Sequence, residues 1–271
     1  MKISFLDAVN KIKQGEVIAV PTETVYGLAA SIDCPDAIEK IFKIKHRPTD
    51  NPLIIHVGDL DQMSPFIFQS PPGFQALANH FWPGPLTCIL PIQPEKIPSI
   101  ARAGLLTAGF RIPMLELTRQ LLLETGPLVM PSANLSGKPS ATRSEHVEND
   151  FGSDFPVLDG GGCLKGVEST IVMYRDPFWV ILREGAIASE QFESILGYQP
   201  KIIKKESNDK PLCPGQKFRH YAPYAHLSLG DEEGLKESSH VLGFQERQYP
   251  EDKKMIYLGS LNDPEQVARN L

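Results

Sequence analysis

The stretch VIAVPTETVYGLA (17–29) decides the fold class, because it joins an apolar strand pattern to a polar loop. VIAV (17–20) is a short apolar run typical of a buried strand. Four hydrogen-bonding residues follow it between Pro21 and Gly27, namely Thr22, Glu23, Thr24 and Tyr26. An isolated TET fits a simple polar turn as well as it fits a ligand-binding loop. The position after a strand favours the ligand-binding loop, because loops at the strand ends of α/β sheets commonly build ligand sites. The stretch therefore predicts a buried strand that leads into a candidate ligand loop.

Alternating helix and strand patterns extend on both sides of this stretch, over residues 1–200. Ser4 is placed to cap a helix that Gly15 ends. Pro35 is placed as the first residue of a second helix, which Pro48 ends. Further helices are predicted at 59–68, 73–82 and 114–124, and further strands at 53–57, 86–92, 107–112, 128–130, 169–174 and 179–184. This order predicts an α/β fold with a mixed, twisted open sheet.

The composition is that of a globular protein and excludes several other classes. The 271 residues correspond to one or two domains, and the contents of hydrophobic (41%) and charged (22%) residues give no sign of disorder. The four cysteines include no CxxC pair, which argues against a zinc site and a disulfide framework. The start lacks the apolar core of a signal peptide, and no run of about 18 apolar residues occurs. We therefore expect a cytoplasmic protein with no membrane partner.

The composition changes after residue 198, which predicts a domain boundary. We expect a catalytic domain at 1–198, a linker rich in Lys and Pro at 199–225, and a short C-terminal α/β segment at 226–271. The last segment is small for an independent core. It is either a short natural ending or part of a longer domain.

The net charge of −6 excludes the simplest kind of nucleic-acid-binding protein, which covers phosphates with a broad basic face. It leaves open a basic pocket inside an acidic shell. The segment KIKHRPTDNPLIIHV (43–57) favours such a pocket, since Arg47 would present a guanidinium fork suited to phosphate or carboxylate. The helix dipole alone also favours cations at that helix end. His56, taken alone, fits a core position better than a ligand contact.

Arg111 interrupts the apolar strand of TAGFRIP (107–113), and a buried arginine is costly unless it is paired. No carboxylate nearby in the sequence is an obvious partner, so a bound anion or a distant carboxylate would have to pair it. PSANLSGKPSAT (131–142) supplies hydroxyls and exposed amides suited to phosphate oxygens. A flexible surface loop is the alternative for that segment, but its prolines argue against flexibility.

The segment LDGGGCLKGVESTIV (158–172) contains three consecutive glycines, which permit close backbone approach to a ligand. It matches neither the Walker A motif nor the dinucleotide fingerprint. The chain has no GxSxG elbow, so Ser132 and Ser136 lack the setting of a hydrolase nucleophile. The His and Cys spacing offers no metal cage. The remaining cations, hydroxyls and glycines suit phosphoryl or nucleotidyl transfer by positioning and electrostatics.

Seven ordered segments together resemble the YrdC-like family over roughly residues 5–198. They are PTETVYGLA, KIKHRPTDNPLIIHV, FWPGPLT, RIP, PSANLSGKPSAT, GVESTIV and LREGAI. CPGQKFRHYAP (213–223) resembles the linker of the longer, two-domain members. The resemblance departs at His46, where a glycine is common, and in the shorter last domain.

The resemblance implies a twisted α/β sheet with a deep basic cavity and a threonylcarbamoyl-AMP synthase activity. L-Threonine, bicarbonate (or CO₂) and ATP would give threonylcarbamoyl-AMP and pyrophosphate. Downstream transferases would then modify tRNAs that read ANN codons, so tRNA would be an indirect partner. Magnesium would be carried by ATP rather than by protein side chains, with no organic cofactor and no covalent protein nucleophile.

The resemblance also implies the binding residues. Those expected at threonine are Thr24, His56, Arg111, Met130, Ser132 and Ser169, with Arg111 on the carboxylate. Those expected at ATP are Lys45, Arg47, Asn51, Thr107, Ser132, Ser140, Arg183 and Tyr221, with Lys45 near the phosphates.

Two alternatives of other classes are open at this point. One is an RNA-binding module, against which the acidic total and the lack of interleaved aromatic and basic residues weigh. The other is a carbamoyl-transfer domain of the kind found in hydrogenase maturation proteins, which would require carbamoyl phosphate and usually carries zinc-finger modules.

Overall fold

Ten strands between Lys2 and Arg183 form one mixed sheet in this computed structural model, which describes residues 1–203, 211–215 and 239–270. In chain order the strands are β1 (Lys2–Ile3), β2 (Ile18–Val20), β3 (Gly27–Ser31), β4 (Ile54–His56), β5 (Leu86–Pro91), β6 (Thr107–Arg111), β7 (Leu128–Val129), β8 (Val157–Leu158), β9 (Thr170–Arg175) and β10 (Phe178–Arg183). Their order across the sheet is β1-β8-β2-β3-β7-β4-β6-β5-β9-β10. The sheet contains parallel pairs, such as β4 with β6, and antiparallel pairs, such as β9 with β10. The predicted mixed α/β sheet is confirmed.

The described helices are α1 (Phe5–Lys13), α2 (Pro35–Lys45), α3 (Leu60–Met63), α4 (Phe74–Phe81), α5 (Glu116–Thr125), α6 (Ser144–Phe151), α7 (Glu193–Leu196) and α8 (Pro264–Asn270). Short 3₁₀ turns occupy Ser64–Phe66, Pro94–Lys96 and Ser189–Phe192. Ser4 caps α1 as predicted, because its Oγ accepts a hydrogen bond from the Asp7 amide at 3.1 Å. Pro35 is the first residue of α2, also as predicted. Among the described residues, no helix is long and apolar enough to cross a membrane.

Several elements were not predicted from the sequence. The segment GLAAS forms β3, which pairs with β2 in antiparallel fashion, so the polar residues 21–26 connect two neighbouring strands. Its small, fully apolar pattern lacks the alternation that marks a half-exposed strand. Helix α6 buries only Ser144 and Val147, too little for a recognisable apolar stripe. Strands β1 and β8 have two residues each, which is too short for any pattern.

The core forms three clusters of buried side chains around the sheet. The largest includes Phe110, Trp179 and Phe192 and lies under α2 and α4. A second cluster packs Val9 and Ile12 of α1 against α5 and the β2–β3 region. Both clusters hold the strand ends that carry the polar residues of the loops.

The third cluster bears on the predicted linker. Cys213 is fully buried beside Ile54, Ile171, Val180 and Leu182. Residues 201–203 continue the sheet locally, because the Ile203 amide donates to the Ile181 carbonyl at 2.8 Å. Part of the segment 199–225 therefore packs on the sheet, although its composition gave no core pattern.

The C-terminal residues form a second, small sheet. Strands β11 (His240–Phe244) and β12 (Lys254–Gly259) pair in parallel, and α8 follows them. The predicted strand MIYLGS and the predicted helix PEQVARNL correspond to β12 and α8. The predicted strand HLSLG (226–230) lies outside the described residues.

Candidate active site

A cavity lies where the loop after β2 meets the ends of β4, β6 and β10. Its polar and charged lining residues are Thr22, Thr24, Tyr26, Arg47, His56, Arg111, Ser132, Glu168, Ser169 and Arg183. Met130, Pro131 and Pro214 contribute apolar wall. The three arginines that the sequence analysis singled out therefore lie on one cavity.

The loop between β2 and β3 is held by its own hydroxyls. Thr22 Oγ1 donates to the Val25 carbonyl at 2.6 Å and accepts from the Thr24 and Val25 amides, both at 3.2 Å. Thr22 and Thr24 share a further hydroxyl–hydroxyl contact of 2.8 Å. Tyr26 is tied by its hydroxyl to Asp159 at 3.0 Å and to the Gly161 carbonyl at 2.7 Å. Burial raises the pKa of Tyr26, so the phenol stays protonated and its one hydrogen is shared between these two acceptors. The loop is therefore a rigid wall.

Arg111 ends β6 and is held by two groups. Its Nη2 donates to Glu23 Oε1 at 2.6 Å, and its Nε donates to the Gly84 carbonyl at 3.2 Å. The Glu23 Oε2 accepts from the Met114 amide at 3.0 Å. The partner of Arg111 is thus a distant carboxylate, one of the two possibilities left open by the sequence. Gly84 belongs to the FWPGPLT segment, whose contact with Arg111 the sequence did not indicate.

His56 lies beside Arg111, because parallel β4 and β6 pair these two residues in register. It is 3% exposed, lines the cavity, and its Nδ1 has no hydrogen-bond partner among the described residues. Burial, followed by the charge of Arg111, holds the pKa of His56 well below its ordinary range. His56 is therefore a buried, neutral imidazole at the cavity wall, and its position combines the core placement expected from the sequence with a contact to the cavity.

Arg183 ends β10 and is fastened to the segment that precedes β9. Its Nη2 donates to the Ser169 carbonyl at 2.8 Å and to the Ser169 hydroxyl at 3.1 Å. Ser169 in turn contacts Thr87 Oγ1 at 2.8 Å. Glu168 lies 3.7 Å from Arg183 Nη1 and accepts from Ser140 Oγ at 3.1 Å. Glu168 is a wall residue that the sequence analysis missed, although it stands in the quoted GVEST segment.

Arg47 and Lys45 lie at the end of α2 and differ in what they face. Arg47 lines the cavity and donates to the backbone carbonyls of Asn51 and Pro52. Burial and the nearby Arg183 lower the pKa of Arg47 to about 10, which still leaves it charged at neutral pH. Lys45 is 2% exposed and donates to the backbone carbonyls of Ser132 and Asn134. Burial and Arg47 lower the pKa of Lys45 to about 7.

The structure brings most of the expected binding residues together. Those on the cavity wall are Thr24, Arg47, His56, Arg111, Met130, Ser132, Ser169 and Arg183. Lys45, Asn51, Thr107 and Ser140 do not line it. Tyr221 lies outside the described residues.

The four expected residues off the wall have different surroundings. Lys45 binds the backbone carbonyls of the loop at 132–134, and its expected place near the phosphates stays a prediction. Ser140 contacts the cavity only indirectly, because its hydroxyl donates to the wall residue Glu168. Asn51 is buried with its Oδ1 unpartnered among the described residues. Thr107 shares a sheet face with Arg111 but lies about 13 Å away along β6.

The three consecutive glycines lie off the cavity wall, because none of Gly160, Gly161 and Gly162 lines it. A Cβ at Gly160 would meet Pro21 Cγ at 2.7 Å, and Gly161 has a φ of +78°. The run therefore lets the chain pack closely against Pro21 and turn, and its approach to a ligand stays a prediction.

Within the described residues, no group of three His, Cys, Asp or Glu side chains is placed to hold a metal ion. Magnesium commonly keeps several waters and binds through substrate phosphates with one or two carboxylates. Glu168 is a carboxylate on the wall among the arginines. That donor set is compatible with magnesium that arrives on a triphosphate, and this assignment stays a prediction.

Fold and site together define a class: a mixed-sheet α/β protein with a partly buried, arginine-lined site for small anionic ligands. Comparison with known proteins then gives the family. The model Sua5_yciO_yrdC, described as "Telomere recombination", matches residues 10–185. The model described as "Threonylcarbamoyl-AMP synthase, C-terminal domain" matches residues 187–271. The chain belongs to the Sua5/YciO/YrdC family, as the resemblance implied.

Individual relatives agree with this assignment. The threonylcarbamoyl-AMP synthase of Bacillus subtilis is 44% identical over 80% of this chain, a match that covers 64% of the relative's own length. The Pyrococcus abyssi enzyme of the same name is 38% identical over 97% of this chain and 82% of the relative. The crystal structure of P. abyssi Sua5 complexed with L-threonine superposes with a TM-score of 0.87 at 35% identity, covering 100% of this chain and 85% of that one.

Proposed function

We propose that the protein is a threonylcarbamoyl-AMP synthase that joins L-threonine, bicarbonate (or CO₂) and ATP. The observation that carries the proposal is the single cavity that gathers Arg47, Arg111 and Arg183 with His56 and Ser169. L-Threonine in the P. abyssi relative's crystal structure supports an amino-acid ligand.

We assign two ends to the cavity. Arg111 and its sheet neighbour His56, with Thr24, would form the amino-acid end, where the guanidinium would bind the threonine carboxylate. Arg47 and Arg183, whose charges act on each other, would form the nucleotide end and bind the triphosphate. Ser132 and Met130 lie on the wall as well, and we place them between the two ligands.

The reaction needs no protein nucleophile. Condensation of the threonine amine with bicarbonate gives a carbamate and water. One carbamate oxygen then attacks the α-phosphorus of ATP, the bond to the β-phosphate oxygen breaks, and pyrophosphate leaves. Holding the reactants together in one cavity supplies a large part of the rate, with effective molarities of about 10⁵ M or more. The arginines at the nucleotide end stabilise charge that develops on the leaving pyrophosphate.

The product is a mixed anhydride that a further enzyme must use. We propose that downstream threonylcarbamoyl transferases move the group to tRNAs reading ANN codons, with no membrane partner and a cytoplasmic location. Magnesium accompanies ATP in this proposal. Lys45, Asn51, Thr107 and Ser140 would take their expected nucleotide roles only if the ligand extends beyond the cavity or the loops adjust.

The test is an incubation of the full chain with ATP, magnesium, L-threonine and radiolabelled bicarbonate. We expect a labelled adenylate and equimolar pyrophosphate, both dependent on threonine. The proposal is rejected if no product forms while a control reaction with the B. subtilis synthase, run under the same conditions, forms it.

Two further experiments separate the alternatives. If the protein forms a carbamoyl adenylate from carbamoyl phosphate and ATP, without threonine and bicarbonate, it is a carbamoyl-transfer domain. If it shifts the mobility of tRNA at moderate salt without ATP, it is an RNA-binding module.

A further inference from the structure

We propose that Glu23 is a positioning residue that fixes the guanidinium of Arg111 and offsets its charge, so that the amino-acid end accepts a carboxylate and disfavours phosphate. This inference rests on the proposed function and names a residue to which neither the sequence motifs nor the relatives assign a role. Glu23 is 2% exposed and is not itself on the cavity wall.

Glu23 ties together three parts of the chain around Arg111. Its carboxylate bridges Arg111 Nη2 at 2.6 Å and the Met114 amide at 3.0 Å. Its backbone carbonyl accepts from the Lys165 amide at 2.9 Å. The Gly84 carbonyl holds the Nε of Arg111 from another side. The rotamer of Arg111 is therefore determined before any ligand binds.

The contacts use two of the five N–H groups of the Arg111 guanidinium, one on Nε and one on Nη2. The second N–H of Nη2 and both N–H groups of Nη1 make no hydrogen bond among the described residues. This edge of the guanidinium can bind both oxygens of a carboxylate, and the neutral His56 lies beside Arg111.

The charge balance separates the two ends of the cavity. Arg111 is paired with a full negative charge in a buried position, so the net charge there is close to zero. Arg47 instead donates to the neutral carbonyls of Asn51 and Pro52, and Arg183 donates to Ser169. Glu168 lies 3.7 Å from Arg183, and the charges of Glu168 and Asp50 both act on Arg47. The pairing at Arg111 differs because its carboxylate is hydrogen-bonded directly to the guanidinium. A neutral Arg111–Glu23 pair attracts a singly charged carboxylate and a zwitterionic amino acid more readily than it attracts a doubly charged phosphate, relative to an unpaired arginine.

The test compares the full-length wild type with Glu23→Gln, using calorimetry with L-threonine, a nonhydrolysable ATP analogue and inorganic phosphate. The glutamine keeps the volume but removes the charge, and it cannot accept from Arg111 and Met114 together as a carboxylate does. We expect threonine to bind at least about tenfold more weakly, a change of about 1.4 kcal/mol. The affinity for the ATP analogue should stay within about twofold, and inorganic phosphate should newly compete with threonine.

Asp150→Asn is the matched control. Asp150 also bridges a cation and a backbone amide, Lys138 at 2.7 Å and Leu135 at 3.0 Å, away from the cavity wall. This variant should leave threonine affinity within about twofold of the wild type. If circular dichroism shows that Glu23→Gln does not fold, Glu23→Asp replaces it. We expect that variant to lose less threonine affinity and to keep its affinity for the ATP analogue.

A double-mutant cycle with Arg111→Lys tests whether Glu23 acts through Arg111. Non-additive losses of threonine affinity support the proposal. Equal weakening of threonine and the ATP analogue, additive losses, or unchanged threonine affinity in Glu23→Gln overturn it. A wild type that binds no threonine at all instead overturns the proposed function, so the two failures are distinguishable.

Discussion

At the scale of the residue, the site depends on groups whose charge state is set by burial. His56 is the clearest example, since desolvation and Arg111 keep its imidazole neutral. Burial also lowers the pKa of Arg47 to about 10, which leaves it charged at neutral pH, and lowers the pKa of Lys45 to about 7. The cavity therefore presents arginine charges and a neutral histidine side by side at physiological pH.

His56 should make the free energy of unfolding depend on pH. Its folded pKa is depressed, so the unfolded state binds a proton below about pH 6.5 that the folded state does not. Stability should therefore fall by about 1 kcal/mol between pH 7 and pH 5.5. Urea unfolding at both pH values measures this loss, and His56→Gln should remove most of it. An equal loss in the variant would contradict the assignment.

The sequence indicated individual residues of the site, but it did not indicate which residues pair with them. Arg111 and His56 stood out as polar residues inside apolar strands, and the structure places both on the cavity. The pairing of Arg111 with Glu23 spans 88 residues, so no local pattern could indicate it. Lys45 was expected to approach phosphates, and only the tertiary fold shows that its amine supports the loop carbonyls.

At the scale of the element, strand ends and the turns after them position the arginines. Arg183 depends on the segment Glu168–Ser169, which lies against Gly185. A Cβ at Gly185 would come within 2.3 Å of the Glu168 carbonyl oxygen and 2.5 Å of the Ser169 carbonyl carbon. The closeness of these two backbones explains why a glycine stands at position 185, directly after Glu184.

Gly185→Ala should therefore displace the Glu168–Ser169 segment and weaken ATP binding. We expect a loss of about 1–3 kcal/mol in stability, the usual cost of overpacking. Gly162→Ala is the control, because the nearest atom to its added Cβ would be Arg143 Nε at 3.9 Å. Thermal denaturation and titration with an ATP analogue measure both effects. If Gly185→Ala and Gly162→Ala give the same result in both assays, the close contact of Gly185 with the Glu168–Ser169 backbone does not matter for stability or ATP binding.

Strongly patterned elements were predictable, and weakly patterned ones were not. The apolar runs at 53–57, 86–92 and 179–184 gave strands, because each buries nearly every side chain. Strand β3 was read as loop, since small residues carry little hydrophobic signal. The order of strands across the sheet could not be read from the sequence, because pairing is decided by long-range contacts.

At the scale of the whole molecule, the sheet and the cavity lie in the first two hundred residues, yet the chain beyond contributes to both. Pro214 lines the cavity and Cys213 fills a core cluster. The domain boundaries at 198 and 225 stay a prediction, and these contacts indicate that a cut at 198 would remove part of the wall.

Two truncations test that boundary. A chain ended after Tyr198 should be less stable than one ended after Gly215 by about 2–3 kcal/mol, the scale for uncovering one or two apolar side chains. The reason is that Cys213 and Leu212 would no longer cover Val180 and Leu182. Urea unfolding of the two proteins makes the comparison. Equal stability would place the boundary at 198 after all.

The most direct test of the account is a crystal structure with L-threonine and a nonhydrolysable ATP analogue bound together. We predict the threonine carboxylate on Arg111 Nη1, with the triphosphate between Arg47 and Arg183 in the same cavity. Threonine bound elsewhere, or a triphosphate on Arg111 with Arg47 and Arg183 turned to solvent, would contradict it.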